Sequence, residues 1–285
     1  MPNLTVTRTQ EQEVGDRERF AFGENWKQFL KVLDEQRIGV AADSLKAMLE
    51  VDNLDGKSSL DIGSGSGLFS LAAKRLGAKV YSFDYDPQSV ACTRELKRRY
   101  FEHDDDWEVQ SGSVLDIRYL NSLGKFDVVY SWGVLHHTGN MWAALANADT
   151  NVAAKGKLFI ALYNDQGWPS KLWHGVKKIF NRLPGILKPP FAFLIYLPIE
   201  LKAFIFLLVL GKPQVYFSNI LSYKRKYRGM SWWHDKIDWI GGYPFEVARP
   251  EQIFNFYKKL GYSLQVFKTC GGELGCNEFV FQRKS

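Results

Sequence analysis

At 285 residues the chain is long enough to bury a sizeable core, as one large domain or as one domain with an insertion. Its 46% apolar and 24% charged residues are those of a globular protein. The first residues, MPNLTVTRTQEQEVGDRERF, lack the apolar run of a signal peptide, and Cys92, Cys270 and Cys276 are too few and too scattered for a disulfide framework, so a reducing cytoplasm is the expected compartment.

Residues 20–38, FAFGENWKQFLKVLDEQRI, read as a helix with Trp26, Phe29, Leu30 and Leu33 at helical spacing, and ADSLKAMLEVDNL reads as a second. The period then changes. SSLDIGSGSG is an apolar strand running into glycines, and LFSLAAKRLG is a helix closed by Gly77. AKVYSFDYD is a strand, and PQSVACTRELKRRY is a helix with proline in its first turn. WEVQSGSVLD gives a strand and a loop. KFDVVYSWG is a fourth strand, MWAALANADTNVA a helix and GKLFIALYN a fifth strand. PEQIFNFYKKLG is the last helix, and YSLQVFKT and NEFVFQRK, joined by a turn-rich segment, form an antiparallel hairpin. Strands alternating with helices predict an α/β fold, a doubly wound and mostly parallel seven-stranded sheet in a three-layer sandwich with an antiparallel edge hairpin. Between Asn164 and Arg249 the connection is far longer than the usual ~2–6 residues. The expected organisation is an N-terminal helical segment over the ligand site (1–56), a core (57–164 and 249–285) and an inserted helical cap (165–248).

The segment Asp61-Ile62-Gly63-Ser64-Gly65-Ser66-Gly67 carries the chemistry. Its glycines allow a sharp turn and a close ligand approach, and the helix after it offers free N–H groups to an anionic group. A dinucleotide fingerprint needs G-x-G-x-x-G, but Leu68 follows Gly67 here, and no Gly-Lys-Ser/Thr follows as a phosphate loop requires. Asp84 ends the next strand, where a carboxylate can accept both hydroxyls of a ribose; Asp86 is read as the cap of the helix beginning at Pro87.

SLDIGSGSG, the acidic end of FDYD, GSVLD and FDVVYSWGVLHHTG together resemble the motif series of class I S-adenosylmethionine-dependent methyltransferases. The resemblance covers about half the chain. It implies that Asp61, Gly63 and Gly65 line the methionine part of S-adenosylmethionine and that Asp84 holds the ribose, with Ser64, Gly67 and Tyr85 also in the cofactor site. It places Ser113 and Val114 beside the adenine, and Ser131 and Trp132 under the cofactor. Many members carry an acidic residue where this chain has Ser113, and Asp116 is the nearby substitute. Phe20, Phe22 and Trp26 either cover the sulfonium, whose charge aromatic faces attract, or pack into the core. The strand end IALYN with DQG, and DWIGGYPFE, are similar to a bacterial subgroup labelled quinone-type methylases.

For a hydroxyl acceptor the candidate bases are His137, His136 and Tyr163, after the fourth and fifth strands; the two histidines point in different directions, and His137 is preferred. No metal site is expected, since His103 to Asp106 reads as a solvated turn. In the insertion, Leu172, Trp173, Val176, Ile179 and Phe180 make an apolar helix face, and Lys171, His174, Lys178 and Arg182 a polar one. FAFLIYLPIELKAFIFLLVLG follows. Interrupted by Pro198, its second half is too short to span a bilayer; it either lies in the interface of an anionic membrane or packs on the core or a second subunit. The expected acceptor is a small apolar or lipid-like molecule, with a saccharide or glycan as the alternative; the absence of an appended RNA-binding module speaks against nucleic acid.

Overall fold

The structure is a computed structural model describing residues 23–226, 232–272 and 275–284. Phe20 and Phe22 lie outside the described residues.

The N-terminal helical stretch is two helices. α1 (Gly23–Val32) stops at Leu33, and α2 (Glu35–Leu49) begins because the Asp34 side chain accepts from Arg37 N. The expected single helix through Ile38 is therefore broken by an N-cap. Strand and helix then alternate: β1 (Ser58–Ile62), α3 (Leu68–Arg75), β2 (Lys79–Asp84), α4 (Pro87–Phe101), β3 (Trp107–Ser111), α5 (Ile117–Leu123), β4 (Phe126–Trp132), α6 (Met141–Asp149) and β5 (Val152–Tyr163). After β5 come α7 (Trp168–Arg182), α8 (Lys188–Val209), α9 (Pro213–Lys226) and α10 (Trp232–Gly241). α11 (Pro250–Lys259), β6 (Tyr262–Lys268) and β7 (Cys276–Arg283) close the chain.

The seven strands lie in the order β3-β2-β1-β4-β5-β7-β6. β1 to β5 run parallel and β7 runs antiparallel between β5 and β6, as expected. Strand alternation sorts the side chains. Leu158, Ile160, Leu162, Phe279 and Phe281 face α5, α6 and α11, while Phe159 and Val280 join the α1–α4 side. This is the three-layer sandwich, with buried apolar side chains contributing about 1.5–3 kcal/mol each. The order reverses between β1 and β4, so a crevice opens at the carboxyl ends of those strands, where open α/β sheets bind ligands.

The segment between β5 and α11 returns to its root: Asn164 bridges Ala248 in parallel pairing. It has a small core of its own, Phe180, Ala192, Tyr196 and Ile240. α8 corrects the sequence reading. Pro198 sits inside it and does not break it, so 22 helical residues run without interruption, about 33 Å. Residues 185–209 are long and apolar enough to cross a membrane by length and composition.

Candidate functional site

The turn between β1 and α3 sits at the switch point. Gly63, Gly65 and Gly67 all have left-handed backbones, with φ of 77°, 56° and 81°, which side chains other than glycine rarely adopt. Gly63 N and Ser64 N donate to Phe83 O at 2.8 and 3.1 Å, tying the turn to β2. A Cβ on Gly65 would stand 3.1 Å from the Trp26 indole, so the N-terminal helix lies directly over the turn. That helix is anchored from both sides: Gly23 N donates to Asp86 Oδ2 at 3.0 Å, and the Asn25 amide donates to the Asp238 carboxyl on α10.

Two buried carboxyls flank the turn. Asp84 accepts from Gly65 N at 3.0 Å through Oδ2 and from Asp86 N at 2.9 Å through Oδ1. Asp61 accepts from Ser70, which accepts in turn from Ser82, and Ser82 from the Trp107 indole N–H. This buried relay fixes the Asp61 carboxyl beneath the turn. Burial raises the carboxyl of Asp61 to about 7 and that of Asp84 to about 6, and the charge of Asp84 adds to the shift of Asp61. Asp86 does what its position predicts: it accepts from Gln88 N at 2.9 Å and caps α4.

Other predicted residues divide between lining and bracing. Ser113 and Val114 follow β3, next to the Asp84 backbone, whose carbonyl accepts from Gly112 N at 3.0 Å. Asp116 accepts from Arg118 N and Tyr119 N at 3.0 and 3.2 Å and so caps α5, a helix absent from the sequence reading. Ser131 is buried and donates to Ile62 O at 3.0 Å, a brace between β4 and β1, with Trp132 after it at the strand end.

The three candidate bases come together. The His136 ring lies 4.0 Å from that of Tyr163 and 4.5 Å from that of His137. Their tautomers follow from their partners. His137 Nδ1 stands 2.6 Å from Pro244 O, and a carbonyl only accepts, so the proton of neutral His137 is on Nδ1 and Nε2 carries the lone pair. His136 is the reverse. Its Nδ1 accepts from Tyr163 N at 3.3 Å, its Nε2 carries the proton, and that atom is buried with no hydrogen-bond partner. Burial, with help from His137 and Lys177, holds His136 far below its usual pKa and so neutral. Pro244 belongs to the returning limb of the insertion, as does Glu246, whose carboxylate accepts from Met141 N at 3.0 Å and caps α6.

Sequence reasoning missed Lys177. Fully buried, it donates to Trp239 O with its ammonium 4.2 Å from the Trp239 ring and 4.9 Å from Phe245, and the rings of Tyr163, Trp239 and Phe245 pack together beside it. The signal was available: residue 177 falls at helical spacing from Trp173 and Phe180, on the apolar face of α7. Burial pushes its amine down to about 7. Between about pH 7 and its unfolded value near 10.4, only the unfolded chain is protonated there, so stability should rise with pH through that window. Lys177→Met should flatten that rise, measured as the difference between wild-type and variant urea midpoints at pH 7 and 9.5; parallel curves would place the amine in contact with water.

Residues 33–184 match the family model described as a methyltransferase domain, more than half of the chain. The chain is 40% identical over 82 residues to a ribosomal protein L11 methyltransferase of Prochlorococcus marinus, 28% of this chain and 27% of the relative. It is 33% identical over 125 residues to a ubiquinone biosynthesis O-methyltransferase of Xanthomonas oryzae pv. oryzae, 44% of this chain and 49% of the relative. The chain thus spans from about a quarter to half the length of these curated relatives. Among solved structures, the magnesium protoporphyrin IX methyltransferase of Synechocystis PCC 6803 with bound SAH superposes with a TM-score of 0.52 at 16% identity, over 92% of this chain and 95% of that one, a likeness of fold. The family model over β1 to β5, on a seven-stranded sheet of class I order, places this chain in the methyltransferase domain family.

Proposed function

We propose that the protein is an S-adenosylmethionine-dependent methyltransferase acting on a small apolar, hydroxyl-bearing acceptor. The observation that carries the reading is the glycine turn at the sheet's switch point, flanked by two buried carboxyls and covered by Trp26. The residues fit the cofactor. A cation suits buried carboxyls whose ionisation is otherwise costly, and Asp84, which accepts from the backbone through both oxygens, keeps acceptor capacity for ribose hydroxyls. When bound, S-adenosylmethionine supplies an electrophilic methyl group. The chain's part is to hold the acceptor oxygen in line and to take its proton, for which His137 Nε2 has the lone pair. Tyr163, Trp239 and Phe245 form an aromatic wall beside that histidine, which favours an apolar acceptor over a saccharide. A turnover panel of phenolic, lipid-like and saccharide acceptors decides between them; transfer to saccharides alone would reverse the preference.

Calorimetry tests the cofactor reading. S-adenosylmethionine and S-adenosylhomocysteine should bind, and NAD should not. The affinity for S-adenosylmethionine should also rise with pH, because Asp61 and Asp84 lose their protons through about 7 and about 6 and only then meet a cationic ligand. A gain of about tenfold or more from pH 5.5 to 7.5 is expected; a flat profile, or binding of NAD alone, contradicts the assignment.

A further inference from the structure

The insertion concentrates the positive charge of the molecule. Residues 166–234 contain eleven Lys or Arg and a single acidic residue, Glu200, while the other 216 residues are net acidic. Glu200 is neutralised internally: Lys236 Nζ pairs with it at 2.6 Å and the Tyr216 hydroxyl donates to it at 2.8 Å. Ala192, Tyr196 and Glu200, four residues apart, form the stripe of α8 that packs on its own chain, and the Tyr196 hydroxyl donates to Lys236 O.

The rest of α8 faces outward and is apolar. Phe193, Leu194 and Phe206 are 55–65% exposed, and Val209 is 80% exposed. On other helices of the insertion Trp168 is 72% exposed and Leu221 84%. A single exposed leucine needs no explanation; a continuous helix face of them on a soluble surface does. Interspersed are exposed Lys171, Lys202 and Lys212, whose stems can lie along apolar surface while the ammonium reaches polar headgroups.

Three occupants compete. A second copy would cover the apolar residues but bring two strongly basic segments together. A nucleic acid would match the charge, but a Leu/Ile/Phe helix face offers few stacking platforms. An anionic bilayer matches both, taking the apolar face into the acyl boundary and the lysines into its headgroups. Because one stripe of α8 is held against α10 and carries an ion pair halfway along, the helix lies beside its own chain rather than standing alone across a membrane.

We propose that the outer face of α8, with Trp168 and Leu221, docks the protein on an anionic membrane surface, α8 lying in the interfacial plane. Flotation of the full chain with vesicles of phosphatidylcholine alone, or with one third phosphatidylglycerol, tests this. The protein should float with the anionic vesicles at least tenfold more than with neutral ones. Leu194→Asp with Phe206→Asp should abolish flotation without moving the thermal midpoint. Lys202→Glu with Lys212→Glu, at exposed positions that no packing depends on, should lower flotation on the anionic vesicles alone. Wild-type protein that floats with neither vesicle overturns the proposal. So does light scattering that shows a stable dimer dissolved by the Leu194→Asp/Phe206→Asp pair, which would assign the face to a second copy.

Discussion

Replacing Asp84 with alanine should weaken S-adenosylmethionine binding by about 2–4 kcal/mol, roughly 30- to 800-fold. Two losses combine. The ribose hydroxyls lose a charged acceptor, and Gly65 N and Asp86 N lose the carboxylate that sets the turn. Asp84→Asn separates them, since it keeps a carbonyl oxygen for one backbone donor but removes the charge. Asp86→Ala should behave differently: its carboxylate serves the α4 cap and Gly23 N, so it should chiefly lower stability, by roughly 1 kcal/mol. A small secondary loss of affinity is expected because Gly23 holds the helix that brings Trp26 over the turn. Calorimetry and thermal unfolding on the three variants check this; equal losses of affinity at Asp84 and Asp86 would mean that the two carboxylates have been given each other's roles.

His137→Gln should lower kcat by about 10²–10⁴-fold while leaving the affinity for S-adenosylmethionine nearly unchanged. The expectation rests on the opposed tautomers. Pro244 O fixes the His137 proton on Nδ1 and leaves Nε2 basic, whereas His136 Nε2 already holds a proton and its surroundings resist a second charge. His136→Gln should therefore act through position, disturbing the Tyr163 backbone contact and the Tyr163 ring beside it. A His137 variant with less than a tenfold loss would remove it as the base.

The cofactor turn was legible in the sequence because its conformation is dictated by residue type: three positions need positive φ, and only glycine supplies it without strain. The place of Asp84 at a strand end and the capping role of Asp86 were legible for a similar reason, the latter because Asp86 precedes Pro87. What was hidden depends on partners distant in sequence. α5 is seven residues long with a single fully buried side chain, Leu120, too short for its period to show. Glu246 has no visible partner in the sequence until the fold brings it to the start of α6, 105 residues earlier. Lys177 reads as one more cation in a basic helix until Trp239 and Phe245 close over it. Pro198 suggested two half-helices, but the i−4 hydrogen bond it lacks is one bond in a 22-residue helix, and that helix forms regardless.

The central claim is that the turn from Gly63 to Gly67 and the carboxylate of Asp84 hold S-adenosylmethionine beside His137. A crystal structure with S-adenosylhomocysteine tests it most directly. The account predicts the ribose hydroxyls within hydrogen-bond distance of the Asp84 carboxylate, the amino acid moiety over the glycine turn beneath Trp26, and the sulfur facing His137. A nucleoside seated elsewhere, with Asp84 still bound to backbone N–H groups alone, would contradict it.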